Sequence, residues 1–110
     1  MRHQDSRIYQ RALELTDLSK AAIEQMPVGF GFLNDQLRRA TASVVLNFAE
    51  GCGKRTRRDR QCRFDTARGS ANEVGAVFDV AMRFGAINTE LGELGCEVAD
   101  HVAAMLARFH

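Results

Sequence analysis

The sequence predicts an all-α protein, an antiparallel up-down-up-down four-helix bundle that forms a single domain over residues 1–110. Apolar residues recur at spacings of three and four in four separate segments, which is the period of a helical face. No segment shows the sustained alternation of a β-strand. The connections between the four segments are short, which favours antiparallel neighbours.

The first two helices are predicted from their apolar stripes and from the residues that end them. The first stripe begins at Ile8 and stops before Pro27, because proline cannot continue a helix. The second begins at Leu33 and is expected to end at Gly51 and Gly53, where glycine allows a left-handed turn.

The uncharged part of the second helix, ATASVVLNFA at residues 40–49, has apolar side chains almost all round the helix axis. A helix that is apolar on every side needs more than one apolar neighbour. In a four-helix domain of this size each helix keeps one side toward solvent. We therefore expect its outer side to contact another subunit; the alternative is an unusually well covered helix in a monomer.

A third helix is predicted after Thr56, with Asp59 three residues later completing a capping box, and it is expected to stop at Gly85. Gly69 and Gly75 lie inside it. Each costs about 1 kcal/mol relative to alanine in a helix interior. We therefore expect another backbone to pass close to both glycines.

A fourth helix is predicted after Asn88, a residue type that caps helix amino termini. Its apolar stripe is predicted to be Leu91, Leu94, Val98, Val102, Met105 and Phe109. The helix also carries acidic residues at Glu90, Glu93, Glu97 and Asp100. Glu97 and His101 lie one turn apart, and we expect a surface ion pair there, because the paired Glu-x-x-His motifs of a di-iron bundle are absent.

Composition and cysteine usage predict a cytoplasmic protein that does not enter membranes. No stretch approaches the roughly 18 apolar residues of a membrane span, and the amino terminus has no apolar leader segment. The three cysteines, Cys52, Cys62 and Cys96, are odd in number and lack C-x-x-C spacing, which fits a reducing compartment. The sequence predicts no cofactor and no metal site.

The positive charge of the chain is concentrated in one region. Residues 38–68 contain nine Lys or Arg against three acidic residues, whereas the rest of the chain carries six bases and eleven acids. The cluster proposed to bind nucleic acid is Lys54, Arg55, Arg57, Arg58, Arg60 and Arg63. Arginines in a first helical turn oppose the helix macrodipole, so local stability does not explain them.

Guanidinium groups match phosphate oxygens, and we therefore predict that this cluster binds RNA or DNA. Only Phe64 lies near it in sequence and the chain has no tryptophan, so binding should depend on backbone phosphates rather than base stacking. Two alternatives stay open. The cluster is a solvated basic surface, or it is half of a charge-complementary subunit contact with the acidic fourth helix.

Polar residues flank the apolar stripe of the second helix and face others expected on the third: Arg39, Ser43, Asn47, Glu50, Ser70 and Glu73. We interpret them as a buried structural network. In it Arg39 or Arg68 neutralises Glu50, and Asn47 satisfies backbone groups near the Gly51 turn.

An acid/base site centred on Glu50 and Glu73 is the weaker alternative, because no histidine, paired hydroxyl nucleophile or activated cysteine accompanies them in sequence. Cys52 lies beside cations that would lower its pKa, but an ordinary reduced thiol is the simpler expectation. The protein is therefore predicted not to be an enzyme.

Short motifs occur in order along the chain: YQRALEL at 9–15, QLRRA at 36–40, NFAEGCGK at 47–54 and ARGSANE at 67–73. Together they resemble the four-helix-bundle proteins encoded in intervening sequences of bacterial 23S rRNA genes, over nearly the whole chain. The resemblance implies a homopentameric ring without established catalytic activity. It also implies a set of signature residues: Arg39, Asn47, Glu50, Gly51, Gly69, Ser70 and Glu73.

The family has a distant relative in the accessory variability protein of diversity-generating retroelements, which works with a reverse transcriptase and nucleic acid; for this chain that is an analogy. Arg60 departs from the family, which usually has an aromatic or aliphatic residue there. Its charge must therefore reach solvent, a carboxylate or a phosphate. The sequence favours a nucleic-acid-binding oligomer, with a protein-interaction scaffold whose arginines serve subunit assembly as the alternative.

Overall fold

The computed structural model describes residues 2–109, and none of them lies in a β-strand. A 3₁₀ turn at His3–Asp5 precedes four helices, α1 (Arg7–Gln25), α2 (Gly31–Cys52), α3 (Arg57–Arg83) and α4 (Thr89–Arg108). The predicted all-α class and the four predicted helices are confirmed. No helix in this part of the chain is both long and apolar enough to cross a membrane.

Contacts between α2 and α3 run in opposite order along the two helices. Ser43 hydrogen-bonds to Ser70 at 2.7 Å, whereas Phe48, farther along α2, packs on Phe64, which comes earlier in α3, with ring centroids 5.6 Å apart. The two helices are therefore antiparallel. Each helix packs on its predecessor and successor, and α4 returns to α1, so the four close into a bundle with extents of 44 × 21 × 18 Å.

Two hydrogen bonds join α4 to α1, again in reversed order. The Arg11 Nε donates to His101 Nδ1 at 3.0 Å, and Gln25 accepts from the backbone N–H of Asn88 at 2.9 Å. The expected ion pair between Glu97 and His101 is not formed. That prediction is wrong because it considered neighbours on one helix, whereas α1 supplies the partner of His101.

The core is continuous along the bundle and contains large side chains that are almost fully removed from solvent. Its largest members are Phe48, Phe64, Phe78, Leu15, Leu37 and Leu106. At the end where α2 stops, the rings of Phe48 and Phe64 are joined by Phe109, with ring centroids 5.4 and 5.0 Å away. The carboxyl-terminal end of α4 is therefore fixed beside the α2–α3 connection.

Both predicted helix caps are present. The Thr56 hydroxyl accepts from the backbone N–H of Asp59 at 3.0 Å, and the Asn88 side chain accepts from that of Leu91 at 2.7 Å. Ser6 also caps α1, because its side chain accepts from the backbone N–H of Ile8; this cap was not predicted. These caps satisfy backbone donors that have no partner within the helix.

The prediction of a left-handed turn at Gly51 and Gly53 is wrong. Gly51 lies inside α2 and Gly53 has φ of −89°, whereas the glycines with positive φ are Gly29 at 107° and Gly85 at 74°. Gly51 serves packing instead, because a Cβ there would lie 2.6 Å from Cε1 of Phe64. At Gly85 the predicted stop of α3 is confirmed.

The predicted stripe of α4 is wrong at Leu94, which is 43% exposed. The face toward α3 begins instead with Gly92 and Gly95, both buried. A Cβ at Gly95 would lie 2.3 Å from Cδ1 of Phe78, so the ring occupies the space that a larger residue would need. A count of apolar side chains overlooks such a face, because glycine carries none.

The two glycines inside α3 have different surroundings. Gly75 approaches α4, since a Cβ there would lie 3.4 Å from the Cβ of Ala99. Gly69 is exposed, and nothing in the described chain lies within 4 Å of a Cβ built there. The expected close approach is therefore found at Gly75, with a side chain as the neighbour, and within this chain it is not found at Gly69.

Candidate nucleic-acid interface

Three arginines at the α2–α3 connection point away from the bundle. Arg55, Arg57 and Arg58 are exposed, and no ion pair within the described chain involves them. Arg57 and Arg58 form the first turn of α3, whose amino terminus carries a partial positive charge of its own. This end of the bundle therefore presents three arginines that form no ion pair with the described side chains, although Asp59 shares the first turn of α3.

Arg60 has a structural contact that the sequence did not predict. Its Nη1 donates to the backbone carbonyls of Lys54 at 3.1 Å and Arg55 at 2.9 Å. The charge reaches loop carbonyls rather than the solvent, carboxylate or phosphate expected from sequence. Arg60 therefore stabilises the α2–α3 connection. It was predicted to bind phosphate, but in the structure it has a role in folding.

Glu50 forms ion pairs with two members of the predicted nucleic-acid-binding cluster. Its Oε1 lies 3.3 Å from Nη2 of Arg63 and 3.6 Å from Nζ of Lys54. The expected neutralising residues, Arg39 and Arg68, do not pair with it, so that prediction is wrong. Antiparallel packing brings the start of α3 to the end of α2, which places Arg63 opposite Glu50 and leaves Arg68 farther along α3.

The polar side chains between α2 and α3 form a connected but only half-buried network. Asn47 donates to the carbonyl and the hydroxyl of Ser43, both at 3.0 Å, and Ser43 bonds to Ser70. The Arg63 Nη1 donates to Asn47 Oδ1 at 3.4 Å, which links this network to the first turns of α3. Asn47 thus bonds one turn back along α2, not to the backbone near Gly51 as predicted.

Glu73 does not join this network. It is exposed and takes part in no ion pair within the described chain. It also lies ten residues beyond Arg63 in α3, roughly 15 Å along the helix axis from the residue that contacts Glu50. The structure therefore does not bring Glu50 and Glu73 together as an acid/base pair.

Cys52 is not activated by its cationic neighbours. Burial raises the pKa of its thiol above the ordinary value. This agrees with the ordinary reduced thiol expected from the sequence, because desolvation disfavours the thiolate. Within residues 2–109 no group of His, Cys, Asp or Glu side chains is arranged to hold a metal ion.

The structure adds three arginines that the sequence reading did not include. An even number of antiparallel helices places both termini at the end where α2 meets α3. Arg2, Arg7 and Arg108 therefore lie at this end, and all are exposed. We call these three, with Arg55, Arg57 and Arg58, the basic end. The predicted up-down-up-down topology already implies that these three arginines lie near the α2–α3 connection, although they are distant from it in sequence.

Fold and site together define a small antiparallel four-helix bundle with a basic end. The chain belongs to the 23S rRNA-intervening sequence protein family, whose model matches residues 4–108. This confirms the family expected from the sequence motifs.

A solved structure from Bacteroides thetaiotaomicron, a protein of unknown function from the S23 ribosomal protein family, is similar to this chain with a TM-score of 0.76. The two share 20% sequence identity, and the match covers 90% of this chain and 94% of the other. At that identity the likeness establishes the fold. No curated protein matches the chain.

Proposed function

We propose that this protein is a non-enzymatic homo-oligomer that binds RNA or DNA through its basic end. The observation that supports the proposal best is the set Arg55, Arg57 and Arg58, exposed at the start of α3 without a carboxylate partner in the described chain. Arginine forks bind phosphate oxygens with two parallel hydrogen bonds. The family's name refers to 23S rRNA, which makes RNA the first ligand to test.

The basic end favours recognition of phosphates over recognition of bases. Phe64 and Phe48 are 2% and 0% exposed, so neither ring is available for stacking. Binding that rests on phosphate contacts releases counterions and weakens steeply as salt is added. We therefore expect little sequence preference and a strong dependence on ionic strength.

Self-association is supported by the outer side of α2. Leu46 is 65% exposed there, and Val45 and Ala49 are half-buried. Val45 packs partly on the core, whereas most of the Leu46 side chain is left uncovered by the described residues. A pentameric ring, as the family resemblance implies, would cover this side of α2 and repeat the basic end once per subunit.

The test is a salt titration of binding to short RNA and DNA, single-stranded and duplex, with molecular mass followed by light scattering in the same samples. Arg57→Glu combined with Arg58→Glu should abolish binding at low salt and leave the mass of the oligomer unchanged. The matched control is Arg38→Glu combined with Arg39→Glu, the same change of charge on exposed residues of α2. The control should retain most of the affinity.

A second candidate is a scaffold in which the arginines hold subunits together. It is favoured by the exposure of Glu90, Glu93, Glu97 and Asp100 along α4, which offers a complementary acidic surface. The same experiment distinguishes the nucleic-acid hypothesis from the scaffold hypothesis. Loss of the oligomer in the Arg57 and Arg58 variant, or an oligomer that ignores every nucleic acid at low salt, would reject the nucleic-acid proposal in favour of the scaffold.

A further inference from the structure

The seam between α1 and α2 opens into a cleft of about 690 Å³, which lies outside the basic end. Its volume falls within the range of about 300–1,000 Å³ that is typical of small-molecule sites. Ile23 and Ala42 contribute apolar surface, while Ser19 and Thr41 lie at the floor. The cleft thus combines an apolar wall with a few polar groups.

The floor of the cleft holds an unused hydrogen-bond donor. Ser19 and Thr41 are only 2% and 5% exposed, and their hydroxyls bond to each other at 2.9 Å. Two hydroxyls carry two protons, and this bond uses one of them. Neighbouring Thr16 places its proton on the carbonyl of Ala12 at 2.9 Å, but neither floor hydroxyl has such a bond. One buried proton is left to meet an acceptor in the cleft.

The mouth of the cleft carries a guanidinium that is held at one side. Arg38 donates through Nε to Asn34 at 2.7 Å, which fixes the group and leaves both terminal amines without a protein acceptor in the described chain. Lys20 and Glu24 lie one turn apart on the opposite wall, and both are exposed. Their charges offset each other, so Arg38 sets the sign of the cleft.

We propose that this cleft binds a small organic carboxylate. One carboxylate oxygen accepts the spare proton of the Ser19–Thr41 pair, and its negative charge is stabilised by Arg38. The apolar body of the ligand covers Ile23 and Ala42. The proposal does not depend on nucleic-acid binding, since none of these residues belongs to the basic end.

The experiment is an amide NMR titration of the isotope-labelled full chain with benzoate, and with benzamide as a neutral ligand of the same shape. Benzoate should give saturable shifts centred on residues 16–24 and 38–42 and should bind more tightly than benzamide. Because either hydroxyl can supply the spare proton, Ser19→Ala combined with Thr41→Val is needed to remove it. This double variant should weaken benzoate by at least about fivefold, because a hydrogen bond to a charged group is lost.

Arg38→Gln should weaken benzoate by a similar factor, and it lies on the surface, so it keeps the proposal testable if the double variant does not fold. Arg39→Gln is the matched control, because Arg39 is the adjacent exposed residue and does not line the cleft. The proposal is overturned if benzoate shifts only the basic end, if no saturable shift appears, or if Arg38→Gln binds as tightly as Arg39→Gln.

Discussion

Alanine at two helical glycines should change stability in opposite directions, because their surroundings differ. At Gly69 nothing lies within 4 Å of an added Cβ, so Gly69→Ala should stabilise the fold by about 0.5–1 kcal/mol through helix propensity. At Gly95 three atoms of the Phe78 ring would lie 2.3, 2.4 and 2.5 Å from the new Cβ. That ring is fully buried and cannot move aside without disturbing the core.

Overpacking of a filled core costs about 1–3 kcal/mol. For Gly95→Ala, whose Cβ would overlap three ring atoms, we expect the upper part of that range, about 2–3 kcal/mol, and the same gain in propensity leaves a net loss of about 1–2 kcal/mol. The difference in unfolding free energy between the two variants should therefore be about 2–3 kcal/mol. Urea unfolding followed by circular dichroism measures it, at one protein concentration because the stability of an oligomer depends on concentration.

Two results would refute this reasoning. If Gly95→Ala were as stable as the wild type, the close packing of α3 on α4 would be wrong at its most crowded point. If Gly69→Ala were destabilised and its mass by light scattering fell, Gly69 would lie at a subunit contact and not in solvent. A stabilised Gly69→Ala of unchanged mass supports the exposed position.

Three further predictions concern the groups around the α2–α3 connection and the cysteines. Glu50→Gln should tighten nucleic-acid binding and steepen its salt dependence, because it removes the carboxylate that pairs with Lys54 and Arg63. Glu73→Gln, at an exposed residue of α3, is the control. Equal affinity in the two variants would contradict this prediction. Iodoacetamide near pH 8 should alkylate the exposed Cys62 first, since burial raises the pKa of Cys52 and Cys96. Mass spectrometry of proteolytic digests measures the order of labelling. Labelling of Cys52 or Cys96 before Cys62 would be incompatible with that burial. The same raised pKa values make unfolding more favourable as the pH rises through the ordinary pKa of cysteine, because the thiols ionise earlier in the unfolded chain.

The helices were predictable because periodicity and capping chemistry are local. Thr56 and Asn88 are read directly from the sequence, since a cap depends on residues within one turn. The α4 stripe was misread at Leu94 because its packing face is formed by glycines that accommodate Phe78. Only the partner helix reveals that a missing side chain is a contact.

The site was predictable as a cluster but not as a set of roles. Arg60 and Arg63 belong to the same run of charge as Arg57, yet loop carbonyls take Arg60 and the carboxylate of Glu50 takes Arg63. Those partners come from the end of α2 and the turn after it. Their proximity follows from the register of α2 against α3, which a single sequence does not specify to within one turn.

The 44 Å length of the bundle separates charges of opposite sign. Opposite the basic end, where the α1–α2 and α3–α4 connections lie, the acidic residues Glu24, Asp35, Glu90 and Glu93 outnumber the one base that ends α3, Arg83. At 0.15 M ionic strength the Debye length is about 8 Å, so the two ends act on their surroundings independently. At 0.01 M it is about 30 Å, and the field of a polyanion then exerts a torque on the whole rod. If the basic end binds nucleic acid as proposed, a single subunit would then reach it already aligned, with its long axis directed at the phosphates.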